Sequence, residues 1–219
     1  YSTNWAGAVI ALDPSTDTNT NTSTNTNTTR FTSISATITV PTPAPLPANS
    51  TDYQTASAWI GLDGGESHTS TTSTTTTTTN AILQTGVDLY VIDGQAYTDP
   101  WYEWYPDFAR YYDEFVVNPG DELGVSVTAD PGGRVGVCVV ENRSSGASVT
   151  QTLTAPKSTA TLAGRTAEWV VEGFASALDE ADAVPFVGFE PAVGFRECAA
   201  VAGGKAYSLL DATALYEIV

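Results

Sequence analysis

Short runs of alternating apolar and polar residues, punctuated by glycine and proline, extend along most of the chain. No long stretch shows the 3.6-residue period of an amphipathic helix, and only segment 175–183 has the composition of a helical turn. Many short strands joined by turns are typical of an all-β fold, so we expect a β-sandwich or barrel. The predicted strands are 5–12, 33–40, 57–62, 81–92, 101–105, 122–128, 134–141, 148–153, 167–172, 184–189 and 212–219.

The segment 81–90 shows this alternation clearly and sorts into two different surfaces. One face is mostly apolar and carries Leu83, Thr85, Val87 and Leu89. The other face carries Gln84, Gly86, Asp88 and Tyr90. An amide and a carboxylate on a rigid strand are unusual for a face that merely meets solvent, where Thr, Lys or Ser is more common. The pattern therefore indicates a cleft around Gln84.

Three other segments, 57–63, 101–105 and 166–172, also have one polar face. Each of these faces carries at least one acidic residue, and the first two also carry a tryptophan. If the four strands are neighbours in one sheet, its open face has aromatic walls and a floor of carboxyl groups around an amide. The residues on that face are Trp59, Asp63, Gln84, Asp88, Trp101, Glu103 and Glu168. Most of them have a simpler structural explanation, such as core tryptophans, a turn aspartate before glycine or a solvated glutamate stripe. The repetition over four strands favours a site.

Two low-complexity segments interrupt the pattern, an Asn/Thr repeat at 16–29 and an almost pure threonine tract at 69–79. Neither contains the apolar residues that would reward ordering it. We expect loops or a threonine-rich β-ribbon standing off the body, with a glycan-coated or ice-binding array as the sharper alternative. Because the length is usual for one all-β domain, we interpret residues 1–219 as a single domain with two inserts.

The chain is strongly acidic, since 25 Asp and Glu residues against 8 Lys and Arg give its 219 residues a formal net charge of −17. Such a surface is a poor partner for nucleic acid or an anionic membrane, and no apolar run approaches the ~20 residues of a membrane helix. Acid would protonate the carboxylates and high salt would screen them. The chain begins at Tyr1 without a signal-type segment, so we expect a mature, secreted, extracellular protein that is monomeric.

Histidine and lysine are scarce, with one histidine and two lysines, so a His-based triad or a lysine-based mechanism is poorly supplied. No cofactor is expected, and His68 near Glu66 and Asp63 lacks convincing spacing for a metal site. Cys138 and Cys198 are the two cysteines. They are interpreted either as two buried thiols or as one disulfide across the sandwich, and an extracellular context favours the disulfide.

Six stretches carry a resemblance to a known family: NWAGAV (4–9), AWIGLDG (58–64), AILQTGVD (81–88), WYEWYPD (101–107), RTAEWVVEGF (165–174) and VPFVGFEPAVGF (184–195). They resemble the glutamic peptidases (eqolisins), the family of scytalidoglutamic and aspergilloglutamic peptidases. The stretches occur in the family's order and span nearly the whole chain, and AILQTG and WYEWYP are specific. The resemblance implies a β-sandwich of two curved antiparallel sheets with a substrate groove on one face.

The resemblance also implies an acid endopeptidase that acts on polypeptides with a glutamine–glutamate dyad and an activated water. The glutamine of AILQTG matches Gln84, and the glutamate of RTAE matches Glu168, although RTAE is one residue shorter than in some relatives. Five more residues match positions that line or support the family's cleft: Trp59, Asp63, Asp88, Trp101 and Glu103. The threonine tract lies where relatives are much shorter.

These residue types suit amide hydrolysis, which needs a base for water, an acid for the departing amine and donors for the developing oxyanion. Glu168 can be base and then acid, and Gln84 can donate a hydrogen bond without ionising. Neighbouring carboxyl groups disfavour simultaneous ionisation. We therefore expect an activity optimum in acid.

Two other classes of function remain open. Aromatic platforms with paired carboxylates would also suit a glycoside hydrolase or a lectin of sandwich form. A non-catalytic secreted binding or surface module would make the threonine tracts its purpose. Assays on a protein substrate in acid and on a panel of polysaccharides separate the three classes.

Overall fold

The computed structural model describes residues 2, 4–13, 29–46, 52–65, 68–72, 75–79, 81–174 and 184–218. The predicted helical turn at 175–183 and nearly all of the 16–29 insert lie outside these residues. The strands are β1 (Trp5–Ala11), β2 (Phe31–Thr39), β3 (Thr42–Ala44), β4 (Tyr53–Leu62), β5 (His68–Thr72), β6 (Thr75–Thr79), β7 (Ile82–Ile92), β8 (Gln95–Tyr105), β9 (Arg110–Tyr111), β10 (Glu122–Ala129), β11 (Val135–Asn142), β12 (Ala147–Thr154), β13 (Thr166–Glu172), β14 (Gly188–Glu190), β15 (Phe195–Ala202), β16 (Lys205–Tyr207) and β17 (Ala214–Tyr216). No helix in this part of the chain is long and apolar enough to cross a membrane.

Two large antiparallel sheets form a sandwich, which confirms the predicted all-β class. Seven strands form one sheet in the order β17-β1-β13-β4-β7-β8-β9, and six form the other in the order β12-β11-β10-β2-β15-β16. The seven-stranded sheet brings together the four strands with a polar, aromatic face. We call it the cleft sheet.

The main core lies between the two sheets and is built by the period-2 alternation of the strands. On β7, Leu83, Val87 and Leu89 are completely buried, and they belong to one cluster with Trp104 of β8 and Trp169 of β13. Because successive side chains of a strand point to opposite faces, burying this set turns the intervening residues outward. The hydrophobic core therefore fixes which side chains the cleft sheet presents on its other face.

One strand of the six-stranded sheet, β15, escapes the alternation pattern. Arg196 and Glu197 follow one another in it, and its pairing with β2 shifts register between Arg196 and Ala199. Glu197 has a positive φ of 52°, as expected where a bulge inserts a residue into a strand. Such a strand has no continuous period of two, which is why it was not predicted. Near the start of this strand, Glu197 forms a surface ion pair with Arg143 at 2.9 Å.

The threonine tract forms a two-stranded antiparallel ribbon, in which β5 pairs with β6 from His68 opposite Thr79 to Thr72 opposite Thr75. This is the threonine-rich ribbon that the sequence predicts. The ribbon is inserted between β4 and β7, the two strands that carry the centre of the polar face. A glycan-coated or ice-binding role for it stays a prediction.

The predicted disulfide between Cys138 and Cys198 is wrong, because both cysteines are free. Cys138 lies on β11 and Cys198 on β15, which belong to the same sheet and are separated there by β10 and β2. Three strand spacings place the two residues roughly 14 Å apart. A disulfide holds its two Cα atoms within about 7 Å. The interpretation as two thiols is the correct one, with Cys138 buried and Cys198 partly buried.

We predict that two thiols per chain react with a thiol reagent after unfolding in the absence of any reductant. In the folded protein Cys198 reacts first, because Cys138 has no exposed surface and burial raises the pKa of its thiol. A Cys198→Ser variant should keep one thiol that reacts only on unfolding. An unfolded, unreduced chain with no reactive thiol would contradict the free cysteines.

Candidate active site

The four strands with a shared polar face are neighbours in the cleft sheet, in the order β13-β4-β7-β8. Their register aligns the polar residues in rows that cross the sheet. The central row contains Glu168, Gly61, Gln84 and Glu103, each directly opposite the next. The amide of the sequence pattern therefore lies between two carboxyl groups that come from distant parts of the chain.

Gly61 separates Glu168 from Gln84 in this row. Two strand spacings put the Cα atoms of Gln84 and Glu168 roughly 10 Å apart, a gap that two long side chains can close from either side. A Cβ atom at Gly61 would lie 3.2 Å from the Cβ of Gln84 and 3.0 Å from the ring of Trp59. The ring of Trp59 and the side chain of Gln84 therefore pack closely over Gly61, where a larger side chain would displace one of them.

Gln84 is held on one side only. Its amide Nε2 donates a hydrogen bond to Oε2 of Glu103. Its amide oxygen is buried and has no hydrogen-bond partner among the described residues. An unsatisfied buried acceptor is costly in a folded protein, so this oxygen marks a position where a hydrogen-bond donor is expected to bind.

Glu168 is fully buried and is held by backbone donors rather than by a cation. Its Oε1 accepts a hydrogen bond from the N–H of Gly65 at 2.9 Å, whereas its Oε2 is buried without a partner in the described part of the chain. Burial, opposed by a hydrogen bond from Thr166 and reinforced by the negative charge of Asp63, raises the pKa of Glu168 to about 8. In acid the group is therefore neutral.

Asp63 supports the site from below and does not line the cleft. Its carboxylate accepts hydrogen bonds from the backbone N–H groups of Gly164 at 2.7 Å and Arg165 at 2.6 Å. These residues lead directly into β13, which carries Glu168. Asp63 has a positive φ of 71° and is therefore also a turn residue. It has both of the roles that the sequence suggested, support of the site and a turn before glycine.

The two tryptophans of the prediction have different positions. Trp59 is completely buried in a small cluster with Trp101 and Val170 on the cleft side of the sheet, and its indole N–H donates to Oε2 of Glu172 at 2.9 Å. Trp101 lines the cleft, and its indole N–H donates to Ser57 at 2.9 Å. The core interpretation thus holds for Trp59, which supports the cleft from beneath.

A second set of acidic residues lies one row beyond Trp59 and Trp101. Asp88 and Glu172 flank Ser57 in that row, and the hydroxyl of Tyr111 donates to Asp88 at 2.8 Å. Burial raises the pKa of Asp88 to about 6, against the effect of hydrogen bonds from Ser57 and Tyr111. Burial likewise raises the pKa of Glu172, and it raises that of Glu103 to about 7.

These residues surround a cleft of about 310 Å³. It is lined by Trp5, Ser57, Ile82, Gln84, Asp88, Trp101, Glu103, Tyr105, Ala109, Glu172 and Phe174. Glu168 is not among them. The Gly64–Gly65 turn binds its carboxyl group, and a Cβ atom at Gly64 would lie 3.0 Å from the ring of Trp5. Glu168 is completely buried, so its carboxyl group does not border this cleft.

Some lining residues were missed by the sequence reasoning or assigned no role. Glu172 and Ser57 were placed on the correct face by alternation, but nothing distinguished Glu172 from a solvated glutamate. Trp5 could have been found from the same alternation, because Trp5, Gly7 and Val9 share a face of β1 opposite β13. Tyr111, which does not line the cleft but donates to Asp88, lies in a two-residue strand that is too short to give a pattern.

Within the described residues, no three His, Cys, Asp or Glu side chains are placed to bind a metal ion together. Glu66, which the sequence places near His68 and Asp63, lies outside these residues. The chemistry of the described cleft is that of carboxyl groups, an amide and hydroxyl groups.

Comparison with known proteins gives three findings. A family model described as the Peptidase A4 family matches residues 3–219. Aspergillopepsin-2 of Aspergillus niger is 34% identical over 215 residues, which cover 98% of this chain and 70% of that protein. Crystal structures of scytalido-glutamic peptidase with a transition state analog inhibitor and of SCP-B, a member of the Eqolisin family, with the tripeptide Ala-Ile-His superpose with TM-scores of 0.74 and 0.72. They are 29% and 28% identical, cover 100% of this chain, and are covered over 89% and 88% of their own length.

We predict that the folded protein is more stable in acid than at pH 8. The pKa values of Glu168, Glu103 and Asp88 are raised by folding to about 8, 7 and 6. The unfolded chain therefore loses these protons first as the pH rises, and their stabilising effect, complete below about pH 4, is lost through the folded pKa values. Urea unfolding at several pH values measures the change.

The matched variants for this prediction are Glu168→Gln and Glu141→Gln. Replacing buried Glu168 by its neutral isostere should flatten the fall in stability between about pH 4 and 8. Replacing Glu141, whose side chain is 53% exposed, should leave the slope nearly unchanged. A urea midpoint that rises from acid to pH 8 would disprove the assignment.

Proposed function

Because the chain belongs to the Peptidase A4 family and is therefore a glutamic endopeptidase, we propose that it cleaves polypeptides in acid with Gln84 and Glu168 acting on one water molecule. Four buried side-chain oxygens have no hydrogen-bond partner among the described residues, and two of them carry this proposal, Oε1 of Gln84 and Oε2 of Glu168. They belong to side chains on either side of Gly61 on one face of the sheet. A water between them could donate to the first and exchange a proton with the second.

Gln84 contributes hydrogen bonds without changing its charge. An amide does not titrate in acid, so it can hold the water and the substrate oxygen at pH values where a histidine would be fully protonated. Its contact with Glu103 fixes the side chain from the far side. A fixed dipole is effective in catalysis because it needs little reorganisation when charge develops.

Glu168 enters the reaction as the neutral acid, since its raised pKa keeps the proton bound in acid. The water oxygen attacks the carbonyl carbon of the scissile peptide bond. One proton of the water passes to Glu168 while the proton of Glu168 passes to the carbonyl oxygen. A neutral diol results, and the charge on Glu168 is unchanged.

The second step reverses the proton movements. One hydroxyl group of the diol returns its proton to Glu168, and Glu168 protonates the nitrogen of the leaving group. The carbon–nitrogen bond then breaks and releases a carboxylic acid and an amine. A single carboxyl group thus serves as base and as acid in both steps.

The surroundings of Gln84 suit a polypeptide substrate in acid, and we propose that the protein acts outside the cell. The cleft is open, partly aromatic and lined by three acidic residues, Asp88, Glu103 and Glu172. Burial raises the pKa of all three groups and so favours their protonated forms, which can donate hydrogen bonds to peptide carbonyl oxygens. A chain with a formal net charge of −17 also repels itself least where its carboxylates are protonated.

We expect Gln84→Ala to lower kcat on a denatured protein in acid by about a hundred- to a thousandfold, and Glu168→Gln by about a thousandfold. The first change removes the groups that hold the water, and the second removes the proton carrier. The measurement is the release of new amino termini. Exposed Gln95→Ala and Glu141→Gln are matched controls and should retain full activity.

Activity that survives Glu168→Gln would disprove the dyad. The same variants are tested on polysaccharides, where cleavage by the wild type would favour a glycoside hydrolase instead. Inactivity on both substrate classes would favour a binding module.

We also expect activity to be highest in acid and to fall as the pH rises from about 6 to about 8. Ionisation of Asp88 and Glu103 places negative charge beside the developing oxyanion, and ionisation of Glu168 removes the proton that it transfers. A Glu103→Gln variant should extend activity to higher pH. The test is kcat/KM as a function of pH, and a maximum at neutral pH or above would contradict the proposal.

A further inference from the structure

The cleft face of the sheet continues past the acidic row to a patch of tyrosines. On β7, Tyr90 lies two residues beyond Asp88 on the same face, and Tyr97 of β8 is directly opposite Tyr90. Tyr53 lies at the start of β4, four residues before Ser57 and therefore on the same face. We call Tyr53, Tyr90 and Tyr97 the tyrosine patch.

The three rings contact one another and remain partly exposed. Tyr90 and Tyr97 stack with their centroids 5.3 Å apart and an interplanar angle of 16°. Tyr53 meets Tyr90 edge-on at 6.4 Å. Tyr53 and Tyr97 are 45% and 42% exposed, while the hydroxyl of Tyr90 donates to Asp99. The middle ring is therefore fixed and the outer two offer aromatic surface to a ligand.

A structural role accounts for only part of this patch. A stacked pair of rings on facing strands stabilises a hairpin, and β7 and β8 are joined by the tight turn at Asp93 and Gly94. That role explains Tyr90 and Tyr97. Tyr53 comes from the neighbouring strand, meets Tyr90 edge-on and widens the exposed aromatic surface.

The distance from the candidate dyad matches an extended substrate. Tyr90 is six residues along β7 from Gln84, which corresponds to roughly 20 Å at the rise of a strand. An extended peptide advances by about the same amount per residue. The cleft already runs in this direction, because Ile82, Gln84 and Asp88 of β7 all line it.

We propose that the tyrosine patch is a second binding site for the polypeptide substrate and takes an aromatic or proline side chain about six residues from the scissile bond. The inference rests on the proposed function, because its occupant is the same chain that is cleaved at Gln84. Continuity with the cleft argues for this occupant over a separate ligand. Stacking on exposed rings supplies the affinity, and Asp99 offers an acceptor for a peptide N–H.

The test compares peptides that share one scissile bond. A short peptide has four residues on each side, and long peptides add a tail at either end with tryptophan or alanine six residues from the scissile bond. For the wild type, KM should be about two- to tenfold lower with tryptophan than with alanine, at one end only. The variant is Tyr53→Ser combined with Tyr97→Thr, since threonine is well tolerated in strands.

In this variant the preference for tryptophan should disappear while kcat and KM for the short peptide stay unchanged, which also shows that the fold is intact. Leu215→Ala, at a residue 77% exposed on the far edge strand β17, is the control and should keep the preference. A preference that persists in the double variant, or is absent in the wild type at both ends, would overturn the proposal.

Failure of the proposed function gives a different result. If the wild type cleaves no peptide, the long peptides are labelled and their binding is measured by fluorescence anisotropy with the Glu168→Gln variant, with and without the two tyrosine substitutions. Tighter binding of the tryptophan peptide that depends on the tyrosines supports the patch even then. Equal binding of both peptides, or tyrosine-dependent binding of a polysaccharide alone, would refute it.

Discussion

The burial of a carboxyl group without a cation is the constraint on which the rest of the site depends. Glu168 is surrounded by backbone N–H groups and a hydroxyl group, and desolvation makes its charged form unfavourable. The structure meets that constraint locally, because Asp63 anchors the backbone that leads into β13 and the Gly64–Gly65 turn binds Glu168 directly. The raised pKa of Glu168 and the backbone donors around its carboxyl group both follow from this single burial.

The acidic surface of the chain and the carboxyl groups of the cleft respond to pH in the same way. A formal net charge of −17 and a cluster of carboxyl groups with raised pKa values both favour the protonated state. Lowering the pH therefore reduces charge repulsion at the surface and also keeps the buried carboxyl groups of the cleft protonated. In this molecule, the pH at which self-repulsion is lowest is also the pH at which Glu168 holds its proton.

Alternation predicted the faces of the strands correctly, since Leu83 and Val87 are core and Gln84 and Asp88 face the cleft. It could not predict which strands are neighbours, because pairing of β13 with β4 depends on contacts more than 100 residues apart. The choice of Gln84 over Asp88 rested on the family resemblance. The bulge in β15 breaks the period of two, so this strand was not predicted. Glu172, the hydrogen-bond partner of Trp59, can be recognised as such only in the structure. The prediction of a disulfide was wrong because the spacing of two cysteines along the chain does not reveal that they lie in one sheet, with two strands between them.

Glycines shape this cleft as much as its carboxyl groups do. A Cβ atom at Gly86 would lie 2.3 Å from the backbone oxygen of Ala58 and 2.5 Å from the Cβ of Trp59, so the close approach of β7 to β4 in this row requires glycine. In the next row, a Cβ atom at Gly61 would lie 3.0 Å from the ring of Trp59 and 3.2 Å from the Cβ of Gln84, so these side chains pack closely over the glycine. A chain that kept Gln84 and Glu168 but carried a side chain at Gly61 would have to displace the ring of Trp59 or the side chain of Gln84. Gly61 therefore helps to fix the positions of Gln84 and Trp59 on the cleft face of the sheet.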